Sequence, residues 1–266
     1  MKDEGQKTSA VGPADLSEVV RKIRARTPAR LLAGRAGASY RTGTQLELRE
    51  AHAAARDAVW EELRAEQAFG HAFVERWGLF DVWTKARRKE EYLLRPDLGR
   101  QIAEEGRAEV VRRCSRGNDV QIAIGDGLSV PAVEAQVPGL LPLLYEGAGE
   151  RGWTVGQSFV IHHCRVGVLN EIGELLEPRV AVLLIGERPG LATVQSLSAY
   201  LGYEPRKGHR DAQRNLVSNI HRRGLRAEEA AERILQLAAK MMGMKRSGWE
   251  LGGDGGGKLA WGEEAG

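Results

Sequence analysis

The residues of this chain with the greatest scope for chemistry follow three apolar segments. Residues 180–185 form an uninterrupted apolar run, with Gly186 and Glu187 directly after it. Residues 120–125 and 159–167 follow a similar pattern, and each segment ends in a glycine. Such short runs are typical of buried strands, and open α/β sheets hold ligands at the carboxyl ends of their strands. We therefore expect three adjacent strand ends to form one crevice.

Glu187 is the titratable group that stands out in this predicted crevice. At the end of a buried strand its carboxylate would be partly desolvated and would require a partner. The sequence leaves two partners open, which are Arg188 in a salt bridge that shapes the loop, or a hydroxyl or amide group of a bound ligand. No obvious catalytic pair accompanies it, so we assign no catalytic residue. The crevice is predicted to bind a ligand more than to react with it.

Familiar motifs for nucleotides and metals do not fit this region. Gly125 and Gly127 match the first two positions of a dinucleotide fingerprint, but Val130 occupies the third, and Asp126 would repel a pyrophosphate. The sequence has no Walker lysine loop, G-x-S-x-G, H-E-x-x-H or paired-cysteine zinc spacing. In His162-His163-Cys164, neighbouring side chains of a strand would point to opposite faces. At most two of them share a side, so we assign no metal ligand.

The elements that must position these residues alternate between strand and helix. The pattern predicts strands over 120–124, 157–164 and 180–185, separated by helices over 129–145 and 168–176. This order is typical of parallel strands with right-handed crossovers, so the predicted fold is α/β with a Rossmann-like parallel sheet domain. Residues 197–203 could be a strand or a helical turn, and residues 211–222 are predicted to be helical. An apolar stripe at helical spacing over 227–241 predicts a final packing helix.

A smaller helical domain is predicted to precede the sheet. Capping-box patterns at residues 15–18 and 44–47 predict helices that run to about residues 26 and 66, and a further helix is expected over about 96–116. The complete division is a flexible tail (1–14), a helical assembly domain (15–117), a Rossmann-like cofactor-binding domain (118–250) and a disordered glycine-rich tail (251–266). Arg35 and Arg41, in a glycine-containing loop, could bind an anion, but pairing within the domain or with another subunit is the commoner role of such arginines.

Composition and charge exclude several classes of protein. The 39 Lys and Arg residues are interleaved with 36 Asp and Glu residues, and the net charge is +3. A nucleic-acid or membrane coat usually shows a block of one sign, so neither is an expected partner. Two cysteines are too few for a disulfide framework, and no segment has the length and apolarity of a membrane span. We expect a cytoplasmic protein.

Several blocks of the sequence resemble one known family, the small (light) chain of ethanolamine ammonia-lyase. The resemblance covers about residues 15–250. The blocks occur in the family's order and are Thr27-Pro-Ala-Arg30, Gly34-Arg-Ala-Gly37, Asp126-Gly-Leu-Ser129, Ile172-Gly-Glu-Leu175, Ile185-Gly-Glu-Arg-Pro-Gly-Leu191, Ser196-Leu-Ser-Ala-Tyr200 and Ser218-Asn-Ile-His221.

The resemblance implies a function that the residue patterns alone do not give. Enzymes of this family use adenosylcobalamin to convert ethanolamine to acetaldehyde and ammonia, in a hetero-oligomer that is dodecameric. The large subunit holds the substrate, and the small chain, active only with it, helps to enclose the corrin. The family's cofactor contacts correspond to Val166, Glu187 and Leu216, the last placed on the predicted helix 211–222. Packaging in a bacterial microcompartment is left open.

The chain departs from the family pattern at two places near the implied site. Cys164 stands where relatives have glycine, and residues 222–227 replace a Gly-Gly-Thr-Pro-Pro loop. Two rival interpretations remain. One is a stand-alone nucleotide-binding α/β enzyme that uses the same crevice, and the other is a structural scaffold without a ligand.

Overall fold

The computed structural model describes residues 13–27 and 29–252. Residues 1–12 and 253–266, which hold most of the two predicted tails, lie outside it. The described helices are α1 (Pro13–Arg26), α2 (Thr42–Trp60), α3 (Ala65–Phe69), α4 (His71–Trp77), α5 (Lys89–Leu94), α6 (Glu104–Arg113), α7 (Val130–Glu150), α8 (Leu169–Leu176) and α9 (Ala227–Met244). The described strands are β1 (Arg35–Ala36), β2 (Ser39–Tyr40), β3 (Asp81–Trp83), β4 (Val120–Gly125), β5 (Phe159–His162), β6 (Val180–Gly186), β7 (Leu197–Tyr203) and β8 (Asn215–Ile220).

Six strands form one mixed sheet in the order β3-β5-β4-β6-β7-β8. The strands β4, β5 and β6 are parallel, as the sequence predicted. The expectation of an entirely parallel sheet was wrong, because β7 and β8 pair antiparallel. Parallel pairing requires a long crossover, usually a helix, and the loop 187–196 that joins β6 to β7 contains none. The chain therefore turns back on itself at this edge.

The region from residue 197 to 222 also differs from the prediction. Residues 197–203 form a strand, which settles the choice that the sequence left open. The helix predicted over 211–222 was wrong, since only a short 3-10 turn, Asp211–Gln213, precedes β8. Pairing with β7 supplies the backbone hydrogen bonds of β8 and so overrides its local helical pattern. Leu216 consequently lies on a strand, opposite Tyr200.

The sheet separates two apolar layers. Along β4 and β6, alternate side chains point to opposite faces, so Ile122 and Val182 join the layer with α7 and α9, whereas Ala123 and Leu183 join the layer with α6 and α8. All residues of β4, β5 and β6 are buried. Each fully buried aliphatic side chain contributes about 1.5–3 kcal/mol, so these layers hold the strand ends in place.

The amino-terminal part is helical, but it also contributes to the sheet. The strand β3, missed by the sequence analysis, pairs with β5. The helix predicted over 44–66 ends at Trp60, and a separate helix, α3, follows it. Ala58 is the buried residue of α2, and most of the remaining helix surface is exposed. The boundary near residue 117 stays a prediction.

Candidate functional site

The carboxyl ends of β4, β5 and β6 meet at one cavity of about 370 Å³, which we call the crevice. The turns after these strands supply its floor, and β7 and β8 supply one side. Val166, Glu187 and Leu216, the three residues implied by the family resemblance, all line it. The full lining is Tyr92, Gly127, Leu128, Cys164, Arg165, Val166, Ile185, Gly186, Glu187, Arg188, Ser198, Tyr200, Leu216 and Ser218.

Glu187 joins the ends of three strands. Its Oε1 accepts hydrogen bonds from the Ser198 hydroxyl at 2.7 Å and from the backbone N–H of Asn219 at 2.9 Å. The salt bridge to Arg188 that the sequence left open is not formed within the described residues. Instead, one carboxylate oxygen fixes β7 and β8 against β6, and in the described part of the chain the other oxygen accepts no hydrogen bond. That second oxygen is available to a donor on a ligand.

Asp126 fixes the turn that carries Arg165 and Val166. Its side chain is fully buried and accepts hydrogen bonds from the amides of His163 at 2.8 Å and Cys164 at 2.7 Å. The buried ammonium group of Lys89 lies 3.7 Å from the same carboxylate. From the sequence, Asp126 was expected to repel a pyrophosphate and belonged to one of the family blocks, and neither feature predicted a structural role. Its actual role depends on residues far along the chain, and no local pattern could reveal it.

Tyr92 links two of the turns and was also missed. Its buried hydroxyl lies 2.7 Å from the Gly127 carbonyl oxygen and 3.1 Å from that of Cys164, and it donates to these oxygens. The Arg165 guanidinium lies 4.2 Å from the centre of the tyrosine ring and donates to the Tyr92 carbonyl. Burial is the main cause that raises the pKa of Tyr92, so the phenol is neutral and remains a donor.

The two histidines at the carboxyl end of β5 contact protein groups. His162 Nε2 lies 2.7 Å from Asp81 Oδ1, and its ring stacks on Trp83. His163, with a positive φ of 56°, places Nδ1 2.7 Å from the Ala86 carbonyl. In the part of the chain that the structure describes, no three His, Cys, Asp or Glu side chains are grouped to hold a metal ion.

Cys164, the first departure from the family pattern, is accommodated inside the fold. Burial is the largest of the causes that raise the pKa of its thiol well above the ordinary value, so the group is a neutral packing element. A Cβ atom added at Gly125 would lie 2.7 Å from its sulfur. The glycine at 125 therefore provides the space that this cysteine occupies.

Taken together, the crevice is suited to binding. It presents the apolar Val166 and Leu216, one carboxylate and a guanidinium stacked on an aromatic ring. Leu216 is 47% exposed, which leaves a large apolar side chain open to a ligand or to another chain. Among the described lining residues the Ser198 hydroxyl donates to the Glu187 carboxylate, and no histidine lines the crevice to complete a catalytic triad, so the arrangement is suited to orienting and shielding a ligand.

Comparison with known proteins decides the family. A model of the family described as ethanolamine ammonia-lyase light chain (EutC) matches residues 17–252. This chain belongs to that family. It is 41% identical to the ethanolamine ammonia-lyase small subunit of Clostridium perfringens, over 90% of this chain and 79% of that protein. The small subunit of Clostridium acetobutylicum is 39% identical to this chain, over 88% of this chain and 94% of that protein. The small subunit of Rhodopseudomonas palustris is 40% identical, over 91% of this chain and 93% of that protein.

The match confirms the resemblance found in the sequence, since it extends over nearly the same residues as the blocks that carried it. Within the described residues, no helix of this light-chain family member combines the length and the apolar character that crossing a bilayer requires.

Proposed function

We propose that this chain is the small subunit of an adenosylcobalamin-dependent ethanolamine ammonia-lyase and forms part of the cobalamin site where it meets the large subunit. One observation carries the proposal. Val166, Glu187 and Leu216, which the family resemblance assigned to the cofactor, line a single cavity although they come from three different segments of the chain. The proposal includes a cytoplasmic location and leaves packaging in a microcompartment open.

The chemistry of the crevice fits a corrin, which has a broad apolar face and a rim of amide groups. Val166 and Leu216 would pack on the face, and the second oxygen of Glu187 would accept from a rim amide. The buried Nε of Arg165 has no hydrogen-bond partner within the described residues, and a rim carbonyl could satisfy it. A cavity of about 370 Å³ encloses only part of so large a ligand, which agrees with a site shared between two subunits.

The division of labour follows from these residues. The chemistry that bound adenosylcobalamin supplies is homolysis of its cobalt–carbon bond. This chain orients the ligand through Glu187, covers an apolar face with Val166 and Leu216, and excludes water from the crevice. Asp126, Tyr92 and Lys89 hold the backbone that carries these groups. Substrate binding and the rearrangement itself are assigned to the large subunit.

The exposed amino-terminal region is assigned to assembly with that subunit. Tyr40, Leu46 and Trp60 are 46%, 58% and 45% exposed, and they belong to the hairpin β1-β2 and to α2. Under this proposal the large subunit would cover these exposed apolar side chains.

The cofactor assignment is tested by titrating the co-expressed complex with cobalamin and following its visible spectrum. The substitutions Val166→Glu and Leu216→Glu place a charge against the corrin face, and each is expected to raise the Kd about 100-fold, since burying an unpaired charge is costly. Val111→Glu is the matched control, because Val111 is an exposed apolar residue on α6, outside the crevice, and its Kd should match that of the unaltered complex.

Two outcomes would refute the proposal. One is wild-type cobalamin affinity in a complex that carries Val166→Glu, Leu216→Glu and Glu187→Lys together. The other is conversion of ethanolamine by the purified small chain without its partner.

A further inference from the structure

A second cavity, about 900 Å³ in volume, lies beside the crevice. We call it the basic cavity, and its lining is Arg100, Gln101, Arg107, Gly167, Asn170, Glu171, Glu174, Lys207, Gly208, His209, Arg210, Asp211 and Arg214. The two cavities adjoin at two places in the chain. Gly167 directly follows Val166 of the crevice, and Arg214 precedes Leu216 by two residues.

Positive charge exceeds negative charge in the basic cavity. Five lining residues carry a guanidinium or ammonium group, and three carry a carboxylate. One carboxylate, Glu171, is already engaged, because it pairs with Arg107 at 2.9 Å and accepts the Ile102 amide at 2.6 Å. Within the described residues, Arg100, Lys207 and Arg210 have no ion-pair partner, whereas Arg107 and Arg214 have one. Three cations are therefore open to an anion that enters from outside.

Arg214 contributes a buried hydrogen-bond donor to the basic cavity. Its side chain is only 7% exposed, and it pairs with Asp211 and donates to Asn170 Oδ1 at 3.1 Å. Its Nε is buried and has no hydrogen-bond partner within the described residues. Burial is also the main cause that lowers the pKa of Arg214. A buried, unpaired N–H destabilises the fold unless an acceptor reaches it.

Tyr200 lines the crevice and interacts electrostatically with charged residues of both cavities. Its ring lines the crevice opposite Leu216, while Asp211 and Arg214 of the basic cavity and Glu187 of the crevice are near enough to act on its phenol. Burial raises the pKa of Tyr200 most, and the two carboxylates add to that effect. The phenol therefore stays neutral and can donate a hydrogen bond in the crevice.

We infer that the basic cavity binds a phosphate group on the same ligand that occupies the crevice. Arginine and lysine together favour a phosphate ester, whose oxygens accept several charge-assisted hydrogen bonds. The volume exceeds that of an inorganic phosphate, and the adjoining chain positions at Gly167 and Arg214 favour a phosphate attached to a larger group in the crevice. The inference rests on the proposed function, under which this group is the phosphodiester of the cobalamin nucleotide loop.

The test compares cobalamin with cobinamide, a corrin that lacks the nucleotide loop and its phosphate. Both are titrated into the complex of small and large subunits, and the Kd is read from the visible spectrum. The double variant Lys207→Gln/Arg210→Gln removes two exposed cations without breaking an ion pair. It should weaken cobalamin binding about 10- to 100-fold, as the loss of two charge-assisted hydrogen bonds requires, and should change the cobinamide Kd less than about twofold.

A matched control removes the same charge elsewhere. Lys240→Gln/Lys245→Gln alters two exposed cations at the carboxyl end of α9, outside both cavities, and should leave both Kd values unchanged. A general electrostatic effect of net charge would weaken cobalamin binding equally in the two double variants, and that result would overturn the inference.

Inorganic phosphate distinguishes the other source of the anion. If the cavity variant lost phosphate binding, measured by calorimetry, but kept the wild-type cobalamin Kd, the cavity would serve a free anion and the assignment to the cofactor would be wrong. Failure of the proposed function has a different signature, since Val166→Glu and Leu216→Glu would then leave cobinamide binding unchanged.

Discussion

The floor of the crevice and the amino-terminal surface are built in opposite ways. At the floor, Gly127 has a positive φ of 59°, and a Cβ atom there would lie 2.3 Å from the Gly186 carbonyl oxygen. On the amino-terminal side, a Cβ atom added at Gly37 or Gly43 would meet nothing within 4 Å. The first region has its geometry fixed by this chain, whereas the second leaves its side chains open. A site that must hold a ligand accurately requires the first arrangement, and assembly with another chain uses the second.

The strongest way to break the fixed floor is Asp126→Asn. The substitution removes the charge that balances buried Lys89 and turns an amide N–H toward one of the two backbone donors. Leaving a buried charge unpaired costs about 3–5 kcal/mol, and we expect the free energy of unfolding in urea to fall by that amount. The double variant Asp126→Asn/Lys89→Met should recover part of the loss, because it removes both members of the pair. Equal stability of Asp126→Asn and the wild type would show that the pair does not hold this turn.

A smaller effect is expected from Gly186→Ala at the end of β6. The added Cβ atom would lie 2.1 Å from the Ser129 carbonyl oxygen and 2.7 Å from that of Asp126, and both contacts are with backbone. Overpacking of this kind costs about 2–3 kcal/mol, which the same unfolding measurement detects. At Gly149, in α7, an added Cβ atom would meet nothing within 4 Å. The free energy of unfolding of Gly149→Ala should therefore be unchanged or rise by up to about 1 kcal/mol. A similar loss of stability in both variants would contradict the contrast drawn between packed and open glycines.

The smallest effect on stability is expected on the open surface, from Arg35→Gln/Arg41→Gln. Both residues are exposed at the hairpin β1-β2, and Arg35 lies 5.6 Å from the centre of the exposed Tyr40 ring. The free energy of unfolding should change by less than about 0.5 kcal/mol. If the hairpin contacts the large subunit, co-purification of the two chains should nevertheless decrease. Assembly at the wild-type level would count against the hairpin as a contact surface and would leave its arginines as solvated side chains.

The prediction of the fold from sequence succeeded where burial is continuous along the chain. The runs at 120–125, 159–162 and 180–186 are buried in every residue, so their apolar pattern identified three parallel strands. It failed at β8, where residues 215–220 are largely exposed and the identity of the element depends on pairing with β7. An edge strand buries little, and its local pattern is correspondingly weak.

The sequence by itself determined the family and the three central strands, and the family resemblance pointed to Val166, Glu187 and Leu216, which the structure places around one cavity. Only the tertiary structure brought Asp126, Lys89 and Tyr92 beneath that site, and only it assembled the basic cavity from residues between 100 and 214. The physical reason is the range of the interactions. Apolar runs and glycines act on neighbouring residues, whereas a buried ion pair or a cluster of cations depends on segments that meet only after the sheet has formed.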